Sequence, residues 1–169
     1  MLLGMWLACS PARPQTRAGP QDSSQFAQLL SNAKNLAALI RGDIATLDFV
    51  AQLAAEGGRD TMFNLFTQRA TELHDQAQKL EEMQKRGSRG QQTAAERMIP
   101  VMKELASSAE AAVNMTKTNQ NRPVTGDFRN YLKLNADLAE ELSSMIGAAA
   151  DYAKTRDELD RIADRVREK

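Results

Sequence analysis

One cysteine, one histidine, one tryptophan and five prolines among 169 residues leave this chain without the raw material for several kinds of chemistry. Cys9 alone cannot form a disulfide within the chain. Cys9 and His74 are the only residues of zinc's usual thiolate and imidazole types, so no structural or catalytic zinc site is expected. A di-iron carboxylate bundle needs two Glu-x-x-His units, whereas here Thr71 stands three places before the lone histidine. A Cys-x-x-Cys-His run for covalent haem is absent, and Met98 with Met102, four apart, read as core filler rather than as soft copper ligands. No Ser-His-Asp, Cys-His or paired-carboxylate grouping can be assembled either. The expectation is a chain with no metal, no cofactor and no enzymatic activity.

A surplus of charge is missing too. Lys plus Arg equals Asp plus Glu at 22 each, and without Arg13, Arg17 and Asp22 the remainder holds 20 basic and 21 acidic residues. That balance argues against nucleic acid as a partner, since its phosphates select broad basic surfaces. No segment after Ser10 approaches the ~20 apolar residues that a membrane-spanning helix requires.

What is present starts at the N-terminus. Residues 1–8 (MLLGMWLA) form a short apolar run directly ahead of Cys9, and residues 9–22 are rich in Pro, Gly and small polar types that cannot bury a core. The ending Leu7-Ala8-Cys9 resembles a bacterial lipoprotein signal. The resemblance implies that Cys9 is the lipid-modified first residue of an exported protein. It also implies a flexible tether over 9–22, and a domain held at the bacterial cell envelope, in the periplasm or outside the cell.

Residues 23–169 read as a single domain built from strong helix formers, with only Pro100 and Pro123 to interrupt them. With Ser23 or Ser24 as N-cap, apolar positions fall at Phe26, Leu30, Ala33, Ala37, Ile40, Ile44, Leu47, Ala51 and Ala54. The alternating intervals of four and three predict one helix, stopped by Gly57-Gly58. The same grammar runs through Phe63, Phe66, Ala70, Leu73, Ala77 and Leu80, ending at the Arg86-Gly87-Ser88-Arg89-Gly90 turn. A third segment carries Ala95, Met98, Met102, Leu105, Ala109, Ala112 and Thr116, its register unbroken across Pro100, which predicts a kinked helix. After the polar stretch 118–126, a fourth segment runs from Phe128 to Val166, unless Thr155 with Glu158 forms a capping box that begins a separate helix.

Four such segments with short connections predict an all-α fold, an antiparallel up-down-up-down four-helix bundle with an over-long C-terminal helix. In architecture it is similar to the helical bundles of bacterial sensor ectodomains and small envelope lipoproteins. The fourth helix exceeds the second by roughly 20 Å at 1.5 Å per residue. Its end, with Leu159, Ile162, Ala163 and Val166, then projects as an apolar stripe without a partner. This end is the expected contact for a protein partner or for homo-oligomer formation.

At the opposite pole the topology gathers Phe49, Phe63, Phe66, Phe128 and Tyr131, five of the seven Phe and Tyr residues. Phe63, Phe66, Phe128 and Tyr131 are the alternative site, where a ligand-binding bundle would take a small apolar molecule. Asn135 breaks the apolar stripe and is expected to set register by a hydrogen bond to a neighbouring helix. Arg156 breaks it again, beyond the bundle. Arg41-Gly42-Asp43 spells an adhesion tripeptide but lies in mid-helix between Ile40 and Ile44, where it cannot be displayed as a loop.

Overall fold

The computed structural model describes residues 20–52, 56–118 and 126–167, and Cys9 lies outside them. Four helices account for all of these residues except the 85–88 turn: α1 (Pro20–Gln52), α2 (Glu56–Gln84), α3 (Arg89–Thr118) and α4 (Gly126–Arg167). Each helix packs on the two beside it, α1 on α2 and α4, and α3 on α2 and α4, in an antiparallel four-helix bundle.

The helix ends differ in detail from the sequence reading. Helix α1 begins at Pro20, so residues 20–22 belong to the helix rather than to the tether. Proline suits the first helical turn, where its missing N–H is not needed, and Asp22 there meets the positive end of the helix dipole. Gly57 and Gly58 do not end α1, which stops at Gln52; they lie in the first turn of α2. The first N–H groups of a helix have no intrahelical acceptor, so this is where glycine disturbs the ladder least.

Between α2 and α3 the turn is closed by a reciprocal cap. Ser88 N donates to Gln91 Oε1 at 2.8 Å and Gln91 N donates to Ser88 Oγ at 3.4 Å, which makes Ser88-Arg89-Gly90-Gln91 a capping box. On the other side Gly87 N donates to Met83 O at 2.9 Å and closes α2. Gly87 is closely packed here. A Cβ on it would sit 3.1 Å from Gln91 Cβ and 3.3 Å from Gln91 Oε1, in the middle of the cap.

The core follows the predicted stripes closely. Ala33, Ala37 and Ile40 of α1, Phe66, Ala70, Leu73 and Ala77 of α2, Ala95, Leu105 and Ala109 of α3, and Phe128 and Leu142 of α4 are completely buried. Alanine at so many seam positions lets the helix backbones approach one another. Helix α3 continues through Pro100, which is exposed, as is Glu96, whose carbonyl loses its helical donor and can turn to water. Helix α4 is one element of 42 residues and is not divided at Thr155. The Thr155 hydroxyl donates back to Asp151 O at 3.0 Å instead of capping a new helix.

Among the described residues, ion pairs mark the α2–α3, α1–α4 and α1–α2 interfaces. Lys103 meets Glu81 at 2.6 Å between α3 and α2. Arg41 meets Glu140 at 3.4 Å and Arg129 meets Asp48 at 3.6 Å between α1 and α4. The third joins Asp43 of α1 to Arg69 of α2. The α1–α4 pairs fix the antiparallel register and bring Pro20 level with the Leu159 turn of α4. The chain ahead of α1 therefore joins the bundle at the pole from which α4 extends.

Candidate functional site

The α4 extension is defined by what surrounds it. Tyr152 reaches Gly90 at the start of α3, its Cε1 4.0 Å from where a Cβ there would lie, and this marks the end of the bundle. From Ala150 to Arg167 every side chain described is exposed. Leu159 is 62% exposed, Ile162 49% and Val166 70%, with Ala163 exposed between them. These are large apolar groups standing on one face that no described residue covers. Arg156, also exposed, is solvated beyond the core rather than buried in it. Asp164 and Arg167 form a loose pair at 3.9 Å along the polar side.

At the far pole the rings are used for packing. Phe63, Phe66 and Phe128 are buried and Tyr131 is half-buried. Phe63 and Phe128 meet edge to face with centroids 6.1 Å apart and planes at 68°, the geometry in which one ring's positive edge meets the other's negative face. A small molecule entering here has to displace that pair. Phe49, expected in the same cluster, is instead 64% exposed, because it falls two residues past Leu47 and on the outer side of α1. An open-sided depression of about 210 Å³ lies between α2 and α3, lined by Thr67, Glu110, Val113 and Asn114 and by none of the four rings.

Two polar seams cross the core. Asn135 is completely buried, as its place in the stripe implies, but its amide turns inward along its own helix. Nδ2 donates to Tyr131 O at 2.7 Å, and no donor among the described residues reaches Oδ1. The hydrogen bond expected to a neighbouring helix is thus replaced by one within α4, since the i−4 carbonyl is the nearest acceptor an asparagine finds. Asp43 is the second. It is 6% exposed and paired through Oδ1 with Arg69 Nη1, while Oδ2 has no partner among the described residues. Arg69 Nη1 also donates to Leu39 O at 3.2 Å, so one guanidinium spans one turn of α1.

The Asp43–Arg69 pair went unrecognised in the sequence. Asp43 lies three residues after Ile40 and seven after Leu36, at a core-facing position, and that spacing was the available signal. The adhesion tripeptide drew attention to the same residues for a reason the structure removes, since Asp43 faces α2.

Met98 and Met102 are both buried in the core. His74 is half-buried at the edge of α2, with its Nε2 3.1 Å from Nε2 of Gln78 one turn on. Among the described residues no three His, Cys, Asp or Glu side chains gather closely enough to hold a metal ion, and no helix is long and apolar enough to cross a membrane. No protein-family model, no curated protein and no solved structure matches the chain.

Proposed function

We propose that this chain is a bacterial envelope lipoprotein anchored through Cys9, and that its bundle is a non-enzymatic interaction module whose contact surface is the α4 extension. The observation that carries the reading is the extension itself. A helix of about a dozen residues standing alone in water is marginal, because nucleation is costly and only tertiary packing of its apolar face repays it. Here Leu159, Ile162 and Val166 supply such a face and none of the described residues covers it. A protein helix laid along that face supplies the missing half of a coiled coil.

The anchor reading rests on Leu7-Ala8-Cys9 and the Pro-rich stretch that follows. It agrees with the register of α1 and α4. Pro20 and the extension share one pole, so a lipid on Cys9 would hold the contact surface on the membrane side of the bundle and the Phe63–Phe128 pole away from it.

The test is deletion of residues 155–169 in the native host, followed by crosslinking of the envelope. Crosslinks to another protein or to a second copy that vanish on deletion, with the melting temperature of the bundle unchanged, support the reading. Crosslinks that survive deletion overturn the extension as the contact surface.

A further inference from the structure

The α4 extension carries a charge pattern as well as an apolar one, and together they specify a partner. Thr155, Leu159, Ile162 and Val166 follow one another at intervals of four, three and four, the spacing of a coiled-coil seam. Glu158 and Arg165, of opposite sign and seven residues apart, line one flank of that seam; Arg156 and Ala163 line the other.

Two such helices can pair in either direction, and the flanks distinguish the two. Side by side in parallel, each flank faces the opposite flank of its neighbour, which sets Glu158 against Ala163, leaves Arg165 without an acid, and gives Arg156 only Asp151, back at the end of the bundle. In the antiparallel arrangement each flank faces its own copy. Leu159 then packs on Ile162 of the second copy and Thr155 on its Val166, and Glu158 meets its Arg165. The two-fold axis makes every one of these contacts twice.

We infer that two copies of this chain pair end to end through antiparallel α4 extensions, a proposal that rests on the extension being the contact surface. A lipid surface is the poorer occupant, because amphipathic helices that lie on membranes carry an excess of Lys and Arg and residues 155–169 hold five of each sign. Nothing in the pairing is large. Four side chains per copy over a dozen residues give an interface at the small end of specific contacts, and the dimer is weak and dependent on concentration. Both tethers leave from its middle, which lets two Cys9 anchors enter one membrane.

Sedimentation equilibrium of the full chain carrying Cys9→Ser, which removes the thiol that would crosslink copies by oxidation, tests the pairing. A reversible monomer–dimer equilibrium is expected. Glu158→Arg replaces two attractions by two repulsions and weakens it by about tenfold. Adding Arg165→Glu to the same chain restores the pairs in reversed sense and recovers the affinity. Ile162→Asp abolishes the dimer with helicity and melting temperature unchanged. Monomer at every concentration up to about 1 mM, or a double charge swap that fails to rescue, overturns the proposal. A monomer whose extension still forms crosslinks to another envelope protein overturns self-pairing alone; a monomer without such crosslinks overturns the interaction reading with it.

Discussion

Replacing Arg69 by Met keeps most of the apolar stem and removes the charge that faces Asp43. The carboxylate then stays at 6% exposure with its other oxygen already without a donor among the described residues. Breaking a buried pair from one side ordinarily costs about 3–5 kcal/mol, because the remaining charge is stranded away from water. The Arg69 side chain is 22% exposed and that of Asp43 8%, so water can follow the lost guanidinium part of the way in. The expected loss is therefore nearer 2–3 kcal/mol, or roughly 5–10 °C in melting temperature for a chain of this length.

Arg41→Met is the matched control. Its partner Glu140 lies 3.4 Å away, and the two side chains are 59% and 68% exposed, so its removal costs at most about 1 kcal/mol. Urea titrations of both variants, compared at equal slope, give the difference directly. Asp43→Leu added to Arg69→Met should recover most of the loss, since an apolar pair of similar size needs no desolvation of charge. Equal costs for Arg69→Met and Arg41→Met would refute the reasoning, as would a double variant no better than the single one.

The aromatic residues divide by burial. Phe66→Ala should cost about 3–5 kcal/mol by leaving a core cavity, while Phe49→Ala, at 64% exposure, should stay within about 0.5 kcal/mol, both read by chemical denaturation. Ser88→Ala removes one half of the capping box and should lower stability by about 1 kcal/mol, with Gln91→Ala adding less than its own single cost because the two act on one cap. Asn135→Val removes a buried oxygen without a donor and should leave stability unchanged or raise it by about 1 kcal/mol; a loss greater than about 2 kcal/mol would mean that this oxygen is satisfied in solution.

Periodicity made the bundle legible because each helix shows its apolar stripe to two neighbours and its polar residues to water. Leu73, Leu80, Met102, Leu105 and Leu142 all lie where the four-three spacing places them, and all are buried to within 1%. Helix ends were harder to read. They depend on which few N–H and carbonyl groups find partners, so Gly57-Gly58 passed for a stop signal and the Ser88–Gln91 cap was not distinguished from an ordinary polar turn. Stripe logic treats charge as surface, which is why Asp43 was missed although its spacing placed it in the core. It also treats an aromatic near a pole as part of that pole, and Phe49 shows that one step around the helix is enough to turn a ring to solvent. The extension of α4 was legible for a simpler reason, since helix length is additive at 1.5 Å per residue and α2 and α3 are too short to accompany it.

The extension and the anchor give the proposed function its geometry. With Cys9 lipid-anchored as proposed, a face of Leu159, Ile162 and Val166 would meet a partner in the same membrane at a much higher effective concentration than in bulk solution. Weak pairing is then sufficient. Without the anchor the same face is too small to hold a partner at ordinary concentrations.

Lipid attachment at Cys9 is accordingly the measurement on which the account turns. The native chain and its Cys9→Ser variant, expressed in a bacterial host fed a fatty-acid probe, are compared by label incorporation and membrane fractionation. The account predicts label and membrane association in the native chain and neither in the variant. Unlabelled, soluble protein in both would contradict it.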